Sequence, residues 1–134
     1  MKPPQYRYFL FHGLASGLLA GVASLVYLKI YQFALAVEFS SILNFGSILG
    51  ASITGGLVAS FGCYVFSLTP FNKEWIFNVV FTVLTFLSLV GPLSFKLPLQ
   101  IESPELFLGA TVPMHFNVQL LWLSTKPMFC QRKI

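Results

Sequence analysis

The chain has 134 residues, of which 56% are hydrophobic and 9% charged, and its formal net charge is +4. A soluble domain is typically about 25% charged, so this composition excludes an ordinary water-soluble fold and indicates a surface covered largely by lipid. The length suits one domain. The basic residues lie in predicted loops and tails, where they report on topology, so we expect no nucleic-acid partner.

Four charge-poor apolar runs predict four transmembrane helices. Each is long enough to cross the hydrocarbon core, which takes about 20 residues, and none alternates as barrel strands do. Lipid offers the backbone no hydrogen-bond partner, so only helices or closed barrels can span it. The sequence therefore predicts an all-α integral membrane four-helix bundle with short loops. It is a single domain over 1–134, with helices at about 8–30, 44–68, 74–92 and 104–125.

The ends of two predicted helices carry further signals. Residues 29–41 are too polar for a second span, so we expect them to extend the first helix. Tyr27 and Tyr31 would then anchor that helix at the membrane interface, where tyrosines are enriched. Gly91 and Pro92 should end or kink the third helix, because proline cannot donate the next backbone hydrogen bond.

The basic residues predict the orientation. With four spans, one side of the membrane holds most of them: Lys2, Arg7, Lys73, Lys126, Arg132 and Lys133. The other side holds only Lys29 and Lys96. Because cytoplasmic loops carry an excess of Lys and Arg, we predict a multi-pass protein of the plasma (inner) membrane. Its N- and C-termini would both be cytoplasmic.

Small residues recur every four positions in the first two predicted helices. The glycines of these stripes are Gly13, Gly17, Gly21, Gly46, Gly50 and Gly55. Such stripes let two helix backbones approach closely in lipid. We therefore predict that the first two helices form a tight intramolecular pair, with a homodimer face as the alternative use of the same signal.

Polar residues form a stripe on each of the last two predicted helices. Spacings of three or four residues place each stripe on one face, and polar groups in lipid tend to face the bundle interior. The third and fourth helices should therefore face each other, or a cavity, through these stripes. With the first-helix histidine added, the candidate ligand-binding residues are His115, Thr111, Gln119, Asn78, Thr82, Thr85 and His12.

The two histidines suggest more specific chemistry. His12 would lie near the cytoplasmic end of the first helix and His115 near the bilayer midplane. If the first and fourth helices are neighbours, the two rings could approach each other. Facing histidines in a bundle can hold a haem or relay a proton. The alternative is that each histidine is simply hydrogen-bonded inside the bundle.

Several motifs are missing from the sequence. No Asp or Glu lies within the apolar run of any predicted helix, which weighs against a small cation antiporter. The sequence has no phosphate loop, nucleophile elbow or zinc motif, and its two cysteines match no metal or redox spacing. We therefore expect no enzymatic activity, no metal and no cofactor.

The leading functional hypothesis is a small non-enzymatic membrane protein. It would be an accessory subunit of a membrane complex or a binder of an apolar ligand or lipid. Its expected partners are the lipid bilayer and either other membrane subunits or further copies in a homo-oligomer. Two alternatives stay open: a small transporter or channel acting as an oligomer, and a haem- or quinone-binding redox protein.

Several segments also resemble a family of uncharacterised small four-pass bacterial membrane proteins. The matching features lie between positions 17 and 123: the Gly17-Leu18-Leu19-Ala20-Gly21 run, the small-residue-rich second helix, Phe77, the Thr82-to-Pro92 segment and Met114-His115. Tyr27 departs from the Asn expected near that position. Because that family has no established activity, the resemblance implies a topology and no mechanism.

Overall fold

The computed structural model describes residues 6–39, 41–69, 74–94 and 104–129. They form five helices in chain order: α1 Tyr6–Leu35, α2 Phe45–Ser67, α3 Glu74–Ser88, α4 Val90–Ser94 and α5 Pro104–Phe129. Four segments are long and apolar enough to cross a membrane, namely Tyr6–Leu35, Phe45–Ser67, Trp75–Ser94 and Glu105–Thr125. The described residues contain no strand. The predicted all-α fold with four spans is confirmed.

Most of the basic residues that predict the orientation in the membrane lie outside the part of the chain that the structure describes. Lys2, Lys73, Lys96, Arg132 and Lys133 lie outside the described residues. The predicted orientation therefore rests on the sequence.

α1 is the central helix, and α2 and α5 pack against it in antiparallel directions. The Ser60 hydroxyl near the end of α2 donates to the Phe9 carbonyl near the start of α1, at 2.6 Å. The Tyr31 hydroxyl near the end of α1 donates to the Leu106 carbonyl near the start of α5, at 2.9 Å. The start of α1 and the ends of α2 and α5 therefore lie at one end of the bundle, which we call the terminal end.

The α1–α2 interface is built on glycine, as predicted. Gly13 and Gly56 face each other so closely that a Cβ on either would collide with the backbone carbonyl of the other. One turn further, a Cβ on Gly17 would lie 2.9 Å from the Ile53 Cα. Since the backbones are in direct contact, this interface has no room for larger side chains.

The prediction of which α2 residues form this interface is wrong in part. Gly46 and Gly50 are exposed, and a Cβ on Gly50 would meet no described atom within 4 Å. Gly55 faces Val118 of α5, whose Cγ1 lies 3.3 Å from the position of a Cβ. α2 carries small residues on several faces, so four-residue spacing could not select the one that contains Gly56.

Beyond α1, the chain turns back into the bundle. Ala36 adopts a positive φ of 53°, and the Val37 N–H donates to the Gln32 carbonyl at 3.2 Å, as in a left-handed helix C-cap. Phe39 is then 1% exposed and meets the Phe107 ring edge-on, with centroids 5.6 Å apart. It closes the core opposite the terminal end.

The third span is broken where the sequence predicted. α3 ends at Ser88, and α4 begins at Val90, because Pro92 has no N–H to donate to the Ser88 carbonyl one turn earlier. Only 11% of this span is buried, against 39% of α1. α3 therefore lies on the periphery of the α1, α2 and α5 assembly.

Candidate functional site

The surface between α3 and α5 carries the predicted polar stripes. We call it the polar seam and define it by Asn78, Thr82, Thr85, His115 and Gln119. The Gln119 side-chain amide donates to the Thr82 hydroxyl across it. That hydroxyl donates in turn to the Asn78 carbonyl at 2.8 Å. The predicted approach of these two helices through their polar residues is found here.

Other polar groups of the two stripes are satisfied within their own helices. The buried Thr85 hydroxyl donates to the Phe81 carbonyl at 2.9 Å. The buried Thr111 hydroxyl donates to the Phe107 carbonyl at 3.0 Å. Neither of these two hydroxyls therefore supplies a bond between α3 and α5, whereas Thr82 and Gln119 do bond across the seam.

His115 is half-buried on α5, one turn before Gln119. Its Nδ1 lies 3.0 Å from the Thr111 carbonyl oxygen. A carbonyl can only accept, so Nδ1 carries the hydrogen in this bond. Phe116, the next residue, meets Phe86 of α3 with centroids 5.3 Å apart, which places this turn of α5 beside α3.

His12 lies in a different place, buried between α1 and α5 at the terminal end. Its Nε2 is 3.1 Å from the Trp122 carbonyl and 3.0 Å from the Thr125 hydroxyl. The Thr125 hydroxyl donates to the Leu121 carbonyl, so Nε2–H is the donor to both groups. The imidazole also stacks on the Trp122 indole, with centroids 4.0 Å apart.

The two histidines do not meet, although α1 and α5 are neighbours. His12 stacks on Trp122, seven residues beyond His115, which is about 10 Å along a helix. A haem held by both rings would need both Nε2 atoms on one iron, and Nε2 of His12 is directed at α5 backbone and Thr125. Among the described residues there is also no group of three His, Cys, Asp or Glu placed to hold a metal.

The Tyr27 side chain contacts α5, whereas the sequence analysis predicted that it would anchor α1 at the membrane interface. Its hydroxyl donates to the Gly109 carbonyl at 2.7 Å. In a regular helix that carbonyl would accept the N–H four residues on, but the residue there is Pro113. The tyrosine therefore supplies the hydrogen bond that the proline cannot, and α5 remains one helix from Pro104 to Phe129.

Tyr31 contacts the same helix one turn away. Its hydroxyl donates to the Leu106 carbonyl, and a Cβ on Gly109 would collide with the same hydroxyl oxygen. Gly109 thus leaves room for the end of the Tyr31 side chain against α5. A proline inside an apolar span leaves one backbone carbonyl without its usual N–H donor, so Pro113 was the sequence signal from which a hydrogen-bonding partner for α5 could have been predicted.

Two more polar features of the core were not predicted. The Asn117 amide donates to the Ser24 hydroxyl of α1 at 2.9 Å. Trp122 is fully buried, and its indole N–H has no hydrogen-bond partner within the described part of the chain. The bundle's polar core is thus shared between the α1–α5 interface and the polar seam.

These features define a small multi-pass helical membrane protein with a tight three-helix core and a peripheral third span. Compared with protein-family models, curated proteins and solved structures, the chain matches none of them. The resemblance to small four-pass bacterial membrane proteins therefore stays a prediction.

Proposed function

We propose that this chain is a non-enzymatic membrane protein that binds an apolar molecule or lipid at the polar seam. One observation carries the proposal. α3 packs loosely on the rest of the bundle, yet its inner side and the facing side of α5 carry polar groups linked by the Thr82–Gln119 hydrogen bond. A loosely packed helix with a polar inner side suits a site entered sideways from the bilayer, because such ligand sites need a few placed polar groups in an apolar wall.

The test is mass spectrometry of small molecules retained by the full chain in polymer-bounded lipid particles. We expect the wild-type protein to retain at least one species above its share of the surrounding lipid. Thr82→Val and Gln119→Leu should each reduce that enrichment. Ser124→Ala, at an exposed position of α5 whose hydroxyl bonds the Leu120 carbonyl of the same helix, is the matched control and should retain it. An enrichment that both seam variants leave unchanged would contradict binding at the polar seam.

A second function, that of an accessory subunit, is supported by a different observation. Gly46, Gly50 and Thr54 form an exposed small-residue stripe on α2, and such stripes mediate close helix contacts in lipid. A protein subunit or second copy that is retained by the wild type and lost from Gly50→Leu would support this function. Retention of the same partner by both chains would count against it. Transport and redox activity remain predictions from the sequence alone.

We also propose a plasma (inner) membrane location with both termini in the cytoplasm. Its support is the excess of Lys and Arg in the termini and in the loop before α3. A fluorescent protein fused after Ile134 should fluoresce, and alkaline phosphatase at the same site should be inactive. Active phosphatase at that position would reverse the orientation.

A further inference from the structure

His115 lies in the polar seam one turn before Gln119, close to the level of the break in the third span. Thr82 contacts Gln119, and Phe86, one turn later on α3, contacts Phe116, which lies earlier on α5. The two helices are therefore antiparallel. Moving one turn from Gln119 to His115 therefore corresponds to moving one turn from Thr82 to Phe86. α3 ends at Ser88, less than one turn beyond that level.

The hydrogen bond of Nδ1 determines what the other ring nitrogen can do. Nδ1–H donates to the Thr111 carbonyl, so in the neutral ring Nε2 has a lone pair and no hydrogen. Among the residues that the structure describes, no donor lies within hydrogen-bonding distance of His115 Nε2. The ring is half-buried, and its Nε2 is not among the fully buried side-chain nitrogens that have no hydrogen-bond partner, so this nitrogen is reachable.

An acceptor nitrogen within a span calls for a donor from a ligand, because the hydrocarbon core contains no water to satisfy it. The neighbouring polar groups are satisfied: the Thr85 hydroxyl donates to its own helix and the Gln119 amide donates to Thr82. The complementary group is therefore a single O–H donor on an otherwise apolar body. Metal ligation would need further ligands, and the described residues place no such group there.

We propose that Nε2 of His115 accepts a hydrogen bond from the hydroxyl group of an uncharged amphipathic molecule lodged between α3 and α5. The chemical class is a lipophilic alcohol, whether a hydroxyl-bearing lipid or a free long-chain alcohol. This inference rests on the proposed binding function, and it names the atom and the ligand chemistry.

The first test is nitrogen NMR of the full chain, labelled with ¹⁵N-histidine, in lipid nanodiscs. Without ligand, Nε2 of His115 should resonate as an unprotonated nitrogen, whereas Nε2 of His12 should resonate as an N–H. Added 1-dodecanol should shift the His115 Nε2 signal, and methyl dodecyl ether, which has no O–H, should leave it in place. An unprotonated Nδ1 at His115 would overturn the inference, as would equal responses to the two probes or no response.

The second test uses quenching of tryptophan fluorescence by 12-bromododecanol and by its methyl ether. In the wild type, the alcohol should bind about fivefold more tightly than the ether, as one hydrogen bond of about 1 kcal/mol allows. His115→Phe should abolish that preference, and His115→Gln, which keeps an acceptor, should retain part of it. Ser124→Ala should match the wild type, because Ser124 is exposed on α5 and its hydroxyl donates to the Leu120 carbonyl of its own helix. A preference that survives in His115→Phe would overturn the inference.

The two proposals fail in different ways. If the seam variants reduce the retained molecules while alcohol and ether behave alike, binding at the seam stands and the role of His115 is wrong. If no retained species depends on Thr82 or Gln119, the proposed function itself is wrong.

Discussion

At the scale of single residues, Tyr27 and Pro113 act together although they lie on different helices. The Tyr27 hydroxyl donates to the Gly109 carbonyl. That carbonyl has no N–H donor from its own helix, because the residue at position 113 is proline. We expect Tyr27→Phe to lower the free energy of unfolding by about 1–3 kcal/mol, since it leaves a carbonyl unsatisfied in an apolar interior. Equilibrium unfolding in mixed detergent micelles measures this change.

A double-mutant cycle isolates the cause. Pro113→Ala restores the backbone N–H, so Tyr27→Phe should cost less in that background than in the wild type. Tyr31→Phe is the matched control, because its acceptor, the Leu106 carbonyl, is also reached by the Ala110 N–H in a regular helix. Equal losses for both tyrosines, with no coupling to Pro113, would disprove the compensation.

Ala36 is a second residue at which the backbone conformation predicts the effect of a substitution on stability. Its φ of 53° lies in the left-handed region, which costs a residue with a Cβ about 1–2 kcal/mol and costs glycine little. Ala36→Gly should therefore stabilise the protein by up to about 1 kcal/mol in the same unfolding assay. Ala34→Gly, two residues earlier inside α1, should destabilise it by about 1 kcal/mol. Loss of stability in both variants would rule out relief of strain at Ala36.

At the scale of helices, the contact between α1 and α2 depends on which face of α2 is used. Gly56→Ala places a methyl group against the Gly13 carbonyl, so it should lower the free energy of unfolding by about 1–3 kcal/mol. Gly50→Ala enters open space and should be neutral, or stabilising by up to about 1 kcal/mol through helix propensity. The reverse order of stabilities would show that α1 packs on the Gly46–Gly50 face.

The link between α3 and α5 should be weak in energy even if it is important for binding. Hydrogen bonds between membrane helices average about 0.6 kcal/mol in double-mutant cycles. We expect a coupling of that size between Thr82→Val and Gln119→Leu. A coupling above about 2 kcal/mol would make this bond primarily structural and would weaken the case for a ligand at the polar seam.

At the scale of the whole molecule, α3 should be the most easily opened span. Its span is the least buried of the four, and segments with few buried contacts open at low free energy. Hydrogen–deuterium exchange in detergent should label α3 amides before those of the central part of α1. Simultaneous exchange of the two helices would indicate a uniformly packed bundle.

The sequence was sufficient for the parts of this fold that depend on length and composition. The four spans, the break near Pro92 and the α1 glycines Gly13 and Gly17 were predictable, because each depends on local chemistry. The contact of Gly56 with α1 was not predictable, since α2 has small residues on several faces. A helix's rotation about its axis is decided by its neighbours, which local spacing does not specify.

The candidate site divides in the same way. Polarity and spacing identified the stripes that contain Thr82 and Gln119, which do meet. The same reasoning could not tell that the His12 ring lies against Trp122, or that Tyr27 bonds α5, because both contacts join residues that are distant in the chain. Their partners depend on which helices are neighbours, and only the tertiary arrangement decides that.

The central place of α1 has a consequence for biosynthesis. Among the described helices, α1 is synthesised before α3, whereas α5, one of its two main partners, is synthesised after α3. A nascent chain that ends after α3 would leave His12 and Ser24 without their α5 partners Thr125 and Asn117, facing lipid beside the α1–α2 hairpin. That side of α1 therefore lacks its final partner while α3 enters the bilayer, and a chain stalled before α5 would present quality-control proteases with polar groups that α5 normally covers.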